Sequence, residues 1–572
     1  RRQRQMCIRD STMAAKKAKV KKKKTAAKKV VKKKAVKKMV RGKRKPAGEK
    51  IGFFDRFPLH TPLLALYPII FLFTYNISEM YLNEIFMPLL ISLGCALGVF
   101  GLLYLFIRDV IKSGIIASSA VIFFFAYGHI AGALGALGLP VGVKIPHYFT
   151  VLLLGGVLVY ANLIVFKGRK KNDTFSLAVN RYLNFFSVIL ISMVLVQSIW
   201  GVVKYSNAVN LKVREYAHKN PADFKKMPDI YYILVDGRGR SDILKSLYDY
   251  DDSGFISALE SKGFKVPSRS ISNYPSTLLS MASLMNYDYL DSAASRAGKK
   301  SDNRVFLREK IRNSSAVRFL RQKRYKYYVL PGGHSDTELT NAADRVFRAE
   351  GVDINNFYQA LFNTTALSVL NIFSGADSEP MQYAAHRNRI LYTFDKLGDI
   401  ASMEPPKFVF AYFVSPHPPF VFDRHGMYVR HTKNISFSDG NHSGILKDEY
   451  IHGYREQTMF MDNRLEKAVN SIIAKSSTPP VIIIQADHGP GSGLIWESPD
   501  KTDMRERFSI FSAYYLPGVD AGKIPEDMSP VNNFRFLFSE YFDEPLEMLE
   551  NRAYFSRWSR PYDFIDVTEE VR

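Results

Sequence analysis

Five apolar stretches, roughly 59–77, 86–107, 113–137, 147–166 and 182–203, dominate the first third of the chain. Each is close to the ~20 residues that cross a bilayer. Inside hydrocarbon, backbone N–H and C=O groups must be satisfied within the protein, so such stretches fold as helices. Pro58, Pro62 and Pro68 make the first the least regular. The loops carry an orientation signal. Arg108 and Lys112 flank the second loop, and Lys167, Arg169, Lys170, Lys171 and Arg181 crowd the fourth. The first loop holds Glu79 and Glu84, and the third only Lys144. The positive-inside rule then predicts a cytoplasmic N-terminus, five crossings, and everything beyond about 205 outside the cytoplasm.

The total charge of +25 suggests a nucleic-acid binder until it is localised. Residues 1–50 hold 23 Lys and Arg against Asp10 and Glu49, a net +21, which leaves +4 for the rest. From Lys16 to Lys45 the tail is Lys, Ala and Val with no acid, so self-repulsion and the lack of a core predict disorder. Such a tail suits nucleic acid or anionic lipid headgroups. A solvated tail that only fixes membrane orientation is equally compatible. Residues 1–12 precede Met13 and read as upstream translation or an assembly scar. Of the two cysteines, Cys7 lies in the tail and Cys95 in an apolar stretch, so the exported part has no disulfide and must rely on its core.

Four regions follow: a basic cytoplasmic tail (1–57), a five-helix membrane domain (58–204), a polar juxtamembrane connector (205–227) and a domain over 228–572. In the last, strand-like runs at 229–235, 327–331, 407–415 and 480–486 alternate with helix-like segments at 241–262, 305–322, 383–399 and 446–475. That alternation predicts an α/β domain with a mostly parallel sheet.

Two of those strands end in metal-type ligands. Ile-Tyr-Tyr-Ile-Leu-Val runs into Asp236-Gly237, and Val-Ile-Ile-Ile-Gln-Ala into Asp487-His488-Gly489. In open α/β sheets ligands bind beyond the carboxyl ends of the strands. Two carboxylates and an imidazole delivered there suit one divalent cation, Zn or Mn. Between them, Ser272-Asn273-Tyr274-Pro275-Ser276-Thr277 reads as a loop entering a helix that continues through Leu284. A hydroxyl at that helix start meets the positive end of the helix dipole, which favours anions and helps it ionise. From local sequence alone, Thr277 reads better as a plain helix cap.

From Pro228 to about Gly518 the chain resembles the sulfatase-like branch of the alkaline phosphatase superfamily, above all membrane-anchored lipoteichoic acid synthases and phosphoethanolamine transferases. The resemblance implies a five-helix membrane domain, an extracytoplasmic catalytic domain, and residence in a bacterial-type cytoplasmic membrane. It places Asp236, Thr277, Asp487 and His488 on one metal, with Thr277 as nucleophile. It implies that His417, in Ser-Pro-His417-Pro-Pro after a strand, contacts the transferred phosphate, and that His334, in Pro-Gly-Gly-His334, contacts substrate. Ser280 resembles a hydroxyl spaced along related nucleophile helices. Arg238 and Arg240 are candidate phosphate ligands; pairing with acids such as Asp242 is as compatible. Two departures bear on chemistry. The domain has no cysteine and Thr277 lacks a following x-Pro-x-Arg, which argues against aldehyde-dependent sulfate-ester hydrolysis. Matching Tyr274-Pro275 to the Phe-Pro of related phosphodiesterases would instead move the nucleophile slot to Asn273, which cannot form a phosphoenzyme.

The activity implied is transfer of a phosphoglycerol- or phosphoethanolamine-type headgroup from a membrane phospholipid donor to an envelope glycan or lipid acceptor, through a phosphothreonine. A membrane-tethered phosphodiesterase or phosphatase is the alternative enzyme. A non-catalytic envelope protein anchored through its basic tail is the alternative of another class.

Overall fold

The structure, a computed structural model, describes residues 52–77, 82–136, 144–167, 174–206, 227–333, 339–349, 356–369, 381–431 and 436–572. The lysine-rich tail, most of the 205–227 connector and His334 lie outside them.

Helices occupy all five apolar stretches: α1 (His60–Tyr75), α2 (Phe86–Ile107), α3 (Val110–Ala136), α4 (Lys144–Lys167) and α5 (Thr174–Ser206). By length and composition, three described helical segments are able to cross a membrane: Phe86–Ile107, Val110–Ala131 and Thr174–Val203. Helix α1 packs against α5, α2 and α3. The α2 surface left outside is apolar, with Leu90, Leu102, Leu105 and Phe106 exposed, as expected for a face solvated by lipid.

The α/β domain is built on a six-stranded sheet. In chain order its first members are β1 (Ile230–Val235), β2 (Lys326–Leu330), β3 (Arg345–Val346) and β4 (Lys407–Phe413), followed by β5 (Val481–Gln485) and β6 (Ser512–Tyr515). Their spatial order is β3-β2-β4-β1-β5-β6, parallel except for the antiparallel edge strand β6. Successive side chains of a strand face opposite sides, and β1 divides accordingly. Tyr232 and Leu234 enter the core on one face, and Tyr231, Ile233 and Val235 the core on the other. Being buried on both faces explains why these strands read as continuous apolar runs rather than alternating ones.

The four predicted strands agree with the observed ones to within two residues. Two predicted helices break. The 241–262 segment becomes Ser241–Tyr248 and Ser253–Glu260, parted where Asp249 adopts a left-handed φ of 51°. The 305–322 segment becomes Val305–Arg312 and Ser315–Gln322, because the Ser314 hydroxyl accepts from the Val317 N–H at 3.1 Å and starts a new helix.

Several elements had no counterpart in the sequence reading, β3, β6 and the helix Pro530–Phe542 among them, and two more shape the surroundings of the sheet. One is a C-terminal hairpin of β7 (Tyr554–Arg557) and β8 (Arg560–Asp566). The other is the helix Asn356–Thr364 with the turn Ala366–Val369, which docks on α3. Phe357 buries itself among Ile69 and Phe73 of α1 and Ile85 of the turn before α2. A Cβ on Gly128 of α3 would collide with the backbone of Asn363 and Thr364, so this contact requires glycine. The two halves of the chain are therefore packed together.

Candidate metal centre and its cavity

Parallel pairing sets the site. Val235 registers with Phe413, and Leu234 with Gln485, so β1, β4 and β5 end together. Asp236, His417 and the Asp487-His488 pair emerge at that one edge. Gly237 follows Asp236 at φ 75°, a turn that a side chain would strain, and its N–H donates to Asp487 Oδ1 at 3.3 Å.

Asp236, Asp487 and His488 are fully buried, and their ligand atoms lie within 4.8 Å of one another. One oxygen of each carboxylate is satisfied: Asp236 Oδ2 accepts from the Tyr412 hydroxyl, and Asp487 Oδ1 from Gly237. The other oxygens, Asp236 Oδ1 and Asp487 Oδ2, have no hydrogen-bond partner. Both face His488 Nε2, at 3.4 and 3.3 Å. His488 Nδ1 lies 3.0 Å from the Gly489 carbonyl, which assigns it the proton and leaves the Nε2 lone pair facing the carboxylates.

The electrostatics point the same way. Burial, followed by the charge of Arg507, holds the His488 imidazole down at about 4, so it is neutral. Burial pushes Asp236 up to about 7; Tyr412 only partly offsets it. Asp487 is raised by burial and then by the Asp236 charge. Two orphaned buried carboxylate oxygens and a neutral imidazole nitrogen converge here. A divalent metal fits this donor set.

Thr277 is the first residue of the helix Thr277–Leu284, and Ser276, in extended conformation, occupies the cap position. The Thr277 hydroxyl therefore does not cap. It lies 3.1 Å from His488 Nε2, beside the three converging side chains. Asn273 is committed elsewhere: its side chain accepts from Val531 N–H and donates to the Arg552 carbonyl, both at 2.9 Å. That removes it as a nucleophile position. Ser280 donates to the Tyr274 carbonyl at 3.0 Å and braces the turn. The same turn is tied to the metal-ligand strand, because Ser272 donates to the Asp487 carbonyl at 2.5 Å.

Two residues absent from the sequence reading complete the site. Arg507, 1 % exposed, donates to the Pro275 carbonyl at 2.7 Å, the Gly489 carbonyl at 3.0 Å and the Asp439 carboxylate. It thus joins the turn before Thr277 to the loop after His488. Burial alone would raise the Asp439 carboxyl; Arg507, then His417 and His488, more than offset it and hold it well below the carboxylate range. His417 Nδ1 donates to the Pro418 carbonyl at 2.7 Å, and Nε2 sits 3.8 Å from Asp439 Oδ2. Asp439-Gly440 is a further Asp-Gly, but it follows no strand-like run, which is why the pattern that found Asp236 passed over it.

The two arginines proposed as phosphate ligands are turned away. Arg238 is fully buried, paired with Asp252 and Asp462 at 2.8 Å each and stacked 4.8 Å from the Phe511 ring centroid. Arg240 pairs with Asp242 at 2.7 Å. The guanidiniums follow the acids, and those acids lie away from the cavity.

The site opens into a cavity of about 440 Å³ whose walls include Asp236, Thr277, His417 and His488. Leu72, Asn76 and Glu84, from the first loop between membrane helices and its approach, line the same cavity.

Solved structures similar to this chain include the following three. The C-terminal periplasmic domain of EcEptC from Escherichia coli aligns at 11 % identity and TM-score 0.38, over 60 % of this chain and 93 % of that one. The integral membrane lipooligosaccharide phosphoethanolamine transferase A (EptA) from Neisseria meningitidis aligns at 12 % identity and TM-score 0.36, over 85 % of this chain and 94 % of that one. A putative sulfatase from Bacteroides thetaiotaomicron aligns at 13 % identity and TM-score 0.37, over 58 % and 78 %. The EcEptC domain is also known in complex with Zn. No protein-family model and no curated protein sequence matches the chain.

Proposed function

We propose that the chain transfers a phosphoryl headgroup, of phosphoglycerol or phosphoethanolamine type, from a membrane phospholipid to an envelope glycan or lipid. The observation that carries this reading is the Thr277 hydroxyl, 3.1 Å from His488 Nε2, in a cavity shared with membrane-side residues. Asp236, Asp487, His488 and Thr277 would hold one divalent cation, Zn or Mn, which supplies Lewis-acid charge and favours the ionised hydroxyl.

Thr277 Oγ1 loses its proton to water and attacks the phosphorus of the donor. The Oγ1–P bond forms as the bond from phosphorus to the lipid glycerol oxygen breaks. His417 Nε2 gives that departing oxygen its proton, with Asp439 beside the ring to hold it in place. The headgroup then resides on Thr277 as a phosphodiester. In the second step an acceptor hydroxyl gives its proton to His417, attacks phosphorus and releases Thr277. Arg507 reaches no substrate in this scheme; it keeps the Pro275 turn and the Gly489 loop in register.

This reading places 58–204 in the membrane, the N-terminus in the cytoplasm, and the catalytic domain of 228–572 outside. The test is peptide mass spectrometry on full-length protein incubated with phospholipid and Zn or Mn. A headgroup adduct on Thr277, absent from Thr277→Ala, supports transfer. Metal-dependent release of free headgroup without an adduct or acceptor product would point to the hydrolase instead.

A further inference from the structure

Two of the chain's three tryptophans meet at the cavity. Trp558 sits in the turn between β7 and β8, and Trp496 lies in the loop after His488. Their ring centroids are 5.2 Å apart, with the planes at 63°. The exposed His442 ring lies 6.3 Å from Trp496 and 6.2 Å from Trp558. Trp496 is buried, and its indole N–H donates to the Asp439 carbonyl at 3.1 Å. Trp558, by contrast, is 42 % exposed, although its position is fixed. Arg304 donates to its carbonyl and lies 4.4 Å from its ring centroid. The next residue, Ser559, donates to the Glu497 carboxylate from its N–H at 2.9 Å and its hydroxyl at 2.7 Å.

A rigid indole left open inside a cavity offers a ligand large contact area at little entropic cost. The surroundings decide which ligand. A cation is disfavoured, because the Arg304 guanidinium already stacks on this ring. An acyl chain is disfavoured as well. Ser556, Arg557 and His442 line the same cavity, and a hydrocarbon would strip their water without replacing it. The lining that suits a chain is elsewhere, in Leu72 and Phe357 of the membrane-side cluster. A pyranose ring fits both features of the wall. One of its faces is mostly C–H, whose slight positive charge meets the negative face of an indole, while its hydroxyls project from the edge toward polar side chains.

We propose that Trp558, backed by Trp496 and His442, is a stacking platform for a sugar ring of a glycan acceptor. Calling that sugar the acceptor rests on the transfer reading; the stacking itself does not. The platform narrows the acceptor from a glycan or lipid to a molecule that presents a pyranose. It is also tied to the reacting groups. The Trp496 N–H holds the Asp439 carbonyl, and the Asp439 carboxylate stands 3.8 Å from His417 Nε2. The sugar's support and the residue that takes the acceptor's proton therefore share one loop.

The test is calorimetric titration of the full chain carrying Thr277→Ala, in a detergent without a sugar headgroup. The probes are methyl glycosides and disaccharides of glucose, galactose and N-acetylglucosamine. Saturable binding of at least one is expected. Trp558→Ala should weaken it about tenfold or more, and Trp558→Phe, which keeps a ring, by about threefold or less. In Trp200→Phe protein, where Trp496 and Trp558 are the remaining fluorophores, the bound sugar should also shield the emission from acrylamide. Binding of no sugar in the set, or equal affinity with and without Trp558→Ala, would overturn the platform. So would shielding by a short-chain phosphatidylglycerol and by none of the sugars, which would make this wall a lipid surface. Binding is read without turnover, so failure of the transfer reading leaves the result intact. Conversely, a chain that loads Thr277 with headgroup yet binds no sugar refutes the platform alone.

Discussion

Metal uptake at this centre should release a proton in a pH window set by Asp236. Burial lifts that carboxyl from its ordinary 3.8 to about 7, while His488 is held at about 4. Below pH 7 a cation must therefore displace a proton from the carboxylate pair, and above it little or none. The affinity should fall by about tenfold per pH unit below 7, or about 30-fold between pH 8 and pH 5.5, roughly 2 kcal/mol. The metal-free protein should show the complementary trend. A carboxyl whose folded-state pKa is raised contributes its full stability below pH 3.8 and loses it as pH rises through about 7. That loss is on the order of 4 kcal/mol, and the cation should restore it. Calorimetry at pH 6, repeated in two buffers of different ionisation enthalpy, counts the protons, and thermal melts with and without Zn follow the stability. About one proton released at pH 6 and a Zn-induced rise in Tm that grows from pH 5.5 to pH 8 are expected. PH-independent affinity with no proton release would refute the electrostatic account of the site. So would a titration with the midpoint of an ordinary histidine, near pH 6.5, that survives Asp236→Asn.

Replacing Arg238 with Met should cost about 3–5 kcal/mol in urea unfolding, because Asp252 and Asp462 would remain buried without their cation; adding Asp252→Asn and Asp462→Asn should recover much of it. If Arg238 were a phosphate ligand, the variant would instead raise KM at unchanged stability. Asp439→Asn leaves Arg507 without its carboxylate and His417 without its neighbour, so headgroup transfer should slow by ~10²–10³ in kcat. Zn affinity, measured by competition with a chelator, should change far less, since Asp439 is not among the converging ligands.

The legible part of this molecule is the part whose chemistry is local. Asp236, Asp487 and His488 each follow a strand buried on both faces, and such strands announce themselves as apolar runs ending in glycine-containing turns. The membrane helices are legible for a similar reason, since the bilayer fixes both their length and their composition. Thr277 was placed by resemblance, because a threonine near a helix start has nothing local to separate a nucleophile from a cap. In the structure Ser276 takes the cap and the Thr277 hydroxyl is turned to His488.

The arginines mark where local reading fails, and they fail in opposite directions. Arg238 stands two residues from the candidate ligand Asp236 and looks catalytic, yet its partner Asp462 lies 224 residues away and draws the side chain into the core. Arg507 sits in a five-residue helix with no strand before it, yet it bridges both halves of the candidate site. A guanidinium reaches far from its own backbone, so its place is decided by whichever buried acid needs it. Asp252 and Asp462 claim Arg238; Asp439 claims Arg507. A carboxylate at a strand end has no such freedom, because its short side chain stays where the sheet delivers it. The wall of the cavity lined by Arg304 and Trp558 escaped notice because its parts are distant in the chain. It depends on a hairpin some 250 residues beyond Arg304 in the chain, paired through Trp558.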